Sequence, residues 1–153
     1  MPTWGEILAE LKATPRGEGG RPDTDLVRRK YLQQLHAYTG RATILYATSF
    51  LESRPIPPAE LQITLLDIQG FMEAFSNVDE RQLDLILLSP GGSAEAAESI
   101  VNYIRSKFDH VRAIIPMAAM SAATMLALSA DEIILAKHSK LGPIDPQFGI
   151  MTP

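Results

Sequence analysis

Leu83-Asp84-Leu85-Ile86-Leu87-Leu88-Ser89-Pro90-Gly91-Gly92-Ser93 is the stretch whose reading decides the fold class. Residues 83–88 are nearly all apolar, as expected of a strand covered on both faces. Pro90-Gly91-Gly92 breaks that run. From Ser93 to residue 108 the pattern becomes helical, with Ala96, Ala97, Ile100, Ile104 and Phe108 on one side. Residues 111–115 read as a second strand, 120–128 as a helix of small residues and 132–135 as a third strand. Strand, helix, strand, helix, strand implies an α/β layer with right-handed crossovers.

Upstream, residues 4–13 place Trp4, Ile7, Leu8 and Leu11 at helical spacing. A Gly-, Pro- and charge-rich loop follows. Asp23 or Thr24 can cap a second helix over 26–38, and Gly40 stands where its C-terminal stop is expected. Residues 42–47 are a short run of strand formers, 53–58 a proline-rich loop, 61–75 a further helix by spacing and 77–81 a polar connection. The domain expectation is therefore a helical extension over 1–40 and an α/β domain over 41–153. The final residues, HSKLGPIDPQFGIMTP, show no closing helix, so the α/β domain is expected to be C-terminally truncated.

Composition narrows the functional classes. The 153 residues are 46% hydrophobic and 21% charged, an ordinary globular balance. Net charge is −4, and the 14 Lys and Arg form no dense run, which argues against a nucleic-acid partner. There is no cysteine, which removes disulfides, thiolate catalysis and cysteine zinc sites and fits a cytoplasmic protein. The histidines have no metal-ligand partner at i+3 or i+4, so no metal and no cofactor are expected. No apolar stretch approaches the ~20 residues that span a bilayer. The start lacks a secretory signal. Membrane association has no support in the sequence.

Two turns can carry chemistry. Gly91-Gly92 lets the backbone adopt positive φ and lets another molecule approach its amides, which suits a negative oxygen. The same residues also make an ordinary strand-to-helix turn with Ser93 as N-cap. The second turn, Pro116-Met117-Ala118-Ala119-Met120-Ser121-Ala122-Ala123-Thr124, places Ser121 at a helix start. Ser121 reads either as an N-cap or as a nucleophile beside the Ala122 amide. Gly91 and Ser121 lie 30 residues apart (121 − 91 = 30), one βαβ step, so the two turns fall side by side at the carboxyl edge of the sheet.

Leu87-Leu88-Ser89-Pro90-Gly91-Gly92-Ser93, Met120-Ser121-Ala122-Ala123 and Ala130-Asp131-Glu132-Ile133-Ile134-Leu135 together resemble the Clp protease/crotonase superfamily. Leu141-Gly142-Pro143-Ile144-Asp145-Pro146-Gln147 narrows the likeness to the serine dehydrogenase proteinase family, a relative of signal peptide peptidase A. The similarity covers residues 41–147. It implies a spiral β-sheet core with flanking helices, assembly into homo-oligomers, and peptide-bond hydrolysis on polypeptide substrates. It also implies Ser121 as nucleophile and an oxyanion hole from Gly91 or Gly92 with Ala122. The histidine base of Clp-type proteases falls on residues 143–145, which hold none. The lysine base of signal peptide peptidases falls beyond Pro153. Asp145 is then a turn former or lines the substrate cleft, while His138 and Lys140 read as solvated loop residues. Two other functions stay open: an acyl-CoA-binding crotonase-type enzyme, which needs no hydroxyl at position 121, and a catalytically inactive assembly module.

Overall fold

The computed structural model describes residues 2–16, 20, 22–52 and 55–145. Parts of the two loops expected around 14–25 and 53–58, and the family-like Pro146 and Gln147, lie outside the described residues. The chain divides into two compact units, Met1–Gly40 and Arg41–Pro153.

In the first unit, α1 (Trp4–Ala13) begins at Thr3, which forms a reciprocal capping box with Glu6. Helix α2 (Thr24–Thr39) begins at Asp23 and ends at Gly40 in the left-handed conformation (φ 67°). Glu10 joins the two helices. One of its oxygens lies 2.5 Å from Lys30 Nζ, and the other accepts the Tyr31 hydroxyl at 2.8 Å.

The second unit contains β1 (Ala42–Ala47), α3 (Asp67–Ala74), β2 (Gln82–Leu88), α4 (Ala94–Lys107), β3 (His110–Ile115), β4 (Ala118–Ala119), α5 (Ala122–Leu128), β5 (Glu132–Leu135) and β6 (Lys140–Leu141). Strands β1-β2-β3-β5 form a parallel sheet in that order, and β4 pairs with β6 in a second, two-stranded parallel sheet. The core lies between one face of the larger sheet and α3, α4 and α5. Leu83, Leu85, Leu87, Ala113 and Ile115 meet Phe71, Phe75, Ile100, Ile104 and Leu126, all buried. Phe75 packs edge-on to Phe108 with ring centres 5.0 Å apart.

Three local expectations need correction. The strand at 83–88 is not apolar-buried on both faces. Its second face carries the fully buried Asp84 and the half-buried Ile86 and Leu88, and β3 alternates in the same way. The helix expected over 61–75 is confined to Asp67–Ala74, preceded by a 3₁₀ turn at Pro58–Leu61. Between them Ile63 is drawn into a parallel bridge with Gly92, a tertiary pairing that overrides local periodicity. Thr64, whose amide and hydroxyl both donate to Asp67, marks where the helix resumes. Finally, the stretch expected as loop around Lys140 contains β6, because Lys140 N donates to Met117 O at 2.9 Å.

At the amino ends of the strands sits a charged lattice. The register sets Thr43, Asp84, Arg112 and Glu132 side by side across the sheet. The Asp84 carboxylate, 0% exposed, accepts from Arg41 Nε at 2.7 Å and from Arg112 Nε and Nη2 at 2.9 and 2.7 Å. Arg41 also donates to His110 Nδ1 at 2.9 Å. Arginine has no lone pair to accept with, so Nδ1 is the acceptor and the ring proton sits on Nε2, 3.5 Å from Glu132. His110 is the first residue of β3 and belongs to this lattice.

Candidate active site

The opposite, carboxyl ends of β2 and β3 run into the two turns singled out in the sequence. After β2, Ser89 pairs with Ala119 through Ser89 N to Ala118 O (3.2 Å) and Met120 N to Ser89 O (3.0 Å). Ile63 flanks the other side of the same segment, donating to Gly91 O (2.8 Å) and accepting from Ser93 N (2.9 Å). In a strand ladder, a residue whose two neighbours bond one partner turns its own N–H and C=O the other way. Gly92 lines the cleft that Ser121 also lines, and its amide is not bonded to Ile63. That amide has no hydrogen-bond partner among the described residues. The Gly91 amide is already engaged, donating to Ser89 Oγ at 3.2 Å.

Both glycines are required by space as well as by conformation. A Cβ on Gly91 (φ 97°) would lie 2.5 Å from Met120 O, 2.6 Å from Ser121 Cβ and 2.9 Å from Ala122 N. A Cβ on Gly92 (φ 152°) would lie 2.4 Å from both the N and the O of Ile63. The diglycine thus lets the β2 turn press directly against the serine turn on one side and against Ile63 on the other. Gly91 lies against Ser121 and Ala122, and Gly92 shares a cleft wall with them.

Ser121 adopts φ 50°, ψ −123°, the one positive-φ non-glycine residue among those described. Such a conformation costs of order 1–3 kcal/mol and persists only where the surroundings enforce it. Here Ser121 N donates to Pro143 O (3.2 Å), while Ser121 O accepts from Thr124 N (2.8 Å) and Met125 N (3.3 Å). Its side chain does not cap α5, in contrast to Ser93, whose hydroxyl caps α4 through Ala96 N at 3.1 Å. Ser121 stands at the N-cap position of α5 but is held there by its backbone, and its hydroxyl has no hydrogen-bond partner among the described residues. A serine on a strained strand-to-helix turn is how several hydrolases expose a nucleophile. Ala122 N, first in α5, has no acceptor among the described residues either.

These groups open into a cleft of about 690 Å³, whose wall includes Gln62, Gly92, Ser121, Ala122, Met125 and Asp145. Asp145 is the titratable side chain of that wall, and His138 and Lys140 do not line it. Among the described residues no group of three or more His, Cys, Asp or Glu side chains is arranged to hold a metal. Gln62, Ile63 and Thr124 were missed in the sequence. Ile63 and Gln62 sit in a stretch with helical spacing, and Thr124 reads as one more small residue of a helix, so no local signal marks them.

Beyond the geometry, residues 61–153 match the family model of the ClpP-like SDH-type serine proteinases, which is more than half of the chain. Two uncharacterised proteins of Methanocaldococcus jannaschii are 38% and 39% identical over 88 residues, 57% of this chain but 31% and 30% of theirs. The chain thus spans about a third of the length of these curated relatives. A membrane-bound stomatin-specific protease, solved with a substrate peptide, aligns at a TM-score of 0.50 and 24% identity over 71% of this chain and 45% of that one. ClpP1 from Listeria monocytogenes aligns at 0.47 and 16% identity, over 65% of this chain and 51% of that one. The likeness to the stomatin-specific protease shows the fold. No helix among the described residues is long and apolar enough to cross a membrane. The family match covers both turns and the segment up to Asp145 that walls the cleft, and by it the chain belongs to the ClpP-like SDH-type serine proteinases.

Proposed function

We propose that this domain hydrolyses peptide bonds through an acyl-enzyme on Ser121. Ser121 Oγ attacks the scissile carbonyl carbon, and the oxygen that gains charge is received by the amides of Gly92 and Ala122. The C–N bond then breaks, the Oγ proton passes to the leaving amine, and water releases the acyl group. The observation that carries this reading is the strained Ser121, whose hydroxyl, like the amides of Gly92 and Ala122 on the same cleft, has no hydrogen-bond partner among the described residues. That free hydroxyl favours the serine-peptidase reading over an acyl-CoA-binding enzyme, which would have no use for it. Gly91 serves as the contact that brings the two turns together. Its own amide holds Ser89 Oγ, so of the two glycines Gly92 is the oxyanion donor in this scheme.

The alcohol needs a proton acceptor. Asp145 enters the scheme as a wall of the substrate cleft. Polypeptide is the substrate class, and self-association accompanies the activity. Arg41–Pro153 forms the catalytic domain and Met1–Gly40 a helical extension to it.

Ser121→Ala tests the scheme directly. It should abolish both hydrolysis of an unstructured protein and labelling by a fluorophosphonate probe, while circular dichroism and elution volume stay unchanged. Undiminished hydrolysis in that variant removes Ser121 from the reaction. Asp145→Asn should raise KM for a peptide several-fold and leave kcat within about threefold. A kcat loss of 10²-fold or more, the size expected for removing a general base, would make Asp145 the base instead.

A further inference from the structure

Thr124 is buried (4% exposed) one helical turn beyond Ser121, and its hydroxyl both donates and accepts. It donates to Ala119 O at 2.7 Å and accepts from Gly142 N at 2.9 Å. Ala119 lies two residues before Ser121 in β4, and Gly142 directly precedes Pro143, whose carbonyl receives the Ser121 amide. One side-chain oxygen therefore ties three segments that meet at the serine: the strand entering the turn, the helix leaving it, and the segment that continues to Ile144 and Asp145 on the cleft wall. The other bond from Gly142 N, to Ala119 O at 3.3 Å, is longer.

We propose that Thr124 is a positioning residue for the Ser121 site, setting the register between the serine turn and the 142–145 wall. The reasoning is mechanical. The unfavourable φ of Ser121 must be enforced from outside, and Ser121 N to Pro143 O enforces it only while residues 142–143 stay docked. Neighbouring strands β4 and β6 are two residues each, too short to hold that register by backbone pairing alone. A threonine hydroxyl is both donor and acceptor, so it serves a carbonyl and an amide at once. Valine keeps the volume and loses both bonds. Serine keeps both bonds and loses a methyl.

The proposal rests on Ser121 being the nucleophile for its kinetic readout and on amide exchange for a readout that does not. Thr124→Val should slow fluorophosphonate labelling of Ser121 by 10- to 100-fold, the scale of an ångström-sized misplacement. KM for a peptide should shift by less than threefold. Hydrogen exchange at the Ser121 and Gly142 amides should accelerate at least tenfold, while that of Leu85 and Ala113 in the large sheet stays the same. Thr124→Ser should restore labelling and exchange to near the parent values. A core variant, Ile104→Val, chosen to lower the melting temperature comparably, should leave labelling per folded molecule unchanged. Parent-like exchange and labelling in Thr124→Val, or an equal loss in Ile104→Val, overturns the positioning role. If the parent is not labelled at Ser121 at all, the nucleophile assignment fails, and the exchange rates alone then decide whether Thr124 holds the register.

Discussion

The two ends of the large sheet are built on opposite rules. At the amino ends, Asp84 is encircled by Arg41 and Arg112, and Arg41 continues to His110, so buried charge is matched by charge. At the carboxyl ends, the Gly92 and Ala122 amides and the Ser121 hydroxyl carry no partner among the described residues, and Ser121 is held at positive φ. Polar groups left open on a cleft wall are accessible to an outside atom, which is the property the proposed mechanism uses. Satisfaction at one edge supports the domain, and the proposed chemistry uses the open groups at the other. The two should come apart under mutation.

The largest separation is expected from Gly91→Ala. The added methyl would sit at 2.5–2.9 Å from Met120 O, Ser121 Cβ and Ala122 N, so the serine turn must move. Labelling of Ser121 should fall by about 100-fold or more, with secondary structure retained by circular dichroism. A parent-like labelling rate would show that the close packing of the two turns is irrelevant to the site. Asp84→Ala attacks the other end. It leaves two arginine charges uncompensated in and beside the interior, which should cost about 3–5 kcal/mol in urea unfolding. Labelling per folded molecule should not change. If it does, the two ends are coupled and the comparison fails.

A smaller effect sharpens the contrast through pH. Asp131, within the segment that leads into β5, accepts from Arg105 Nη1 and from Val111 N, both at 2.7 Å. The Arg105 guanidinium first, and the Val111 amide second, hold its carboxyl down to about 2 from an ordinary 3.8. A depressed carboxylate binds fewer protons folded than unfolded. Its contribution is therefore complete above about pH 4 and is lost as pH falls through about 2. Asp131→Asn should flatten the fall of the urea midpoint between pH 4 and pH 2, while the Ser121 labelling rate at neutral pH stays unchanged. An unaltered acid slope would show that the carboxylate contributes nothing there.

Much of this was legible before any coordinates. The short apolar run 83–88 cut off by Pro-Gly-Gly reads as a strand, the spacing after Ser93 as a helix, and the 30-residue separation places Gly91 beside Ser121. Capping worked where it is local: Ser93, Asp23 and Gly40 do what their residue types predict. At Ser121 residue type stopped short: the serine stands at the N-cap of α5, but sequence could not tell a capping hydroxyl from one that makes no cap bond. Local pattern failed at 61–66, where apolar spacing at helical period is overruled by one bridge from Ile63 to Gly92.

The sequence by itself determined the βαβ order, the edge on which the two turns meet and the residue types available there, because these follow from side-chain periodicity and from the conformational freedom of glycine. Only the tertiary structure decided which glycine amide is open, that Ser121 is strained and uncapped, that Thr124 ties three segments, and that Asp84 is neutralised by two arginines. Each of those facts depends on hydrogen bonds between residues distant in the chain, and no local pattern encodes which of several competing partners a polar group will find.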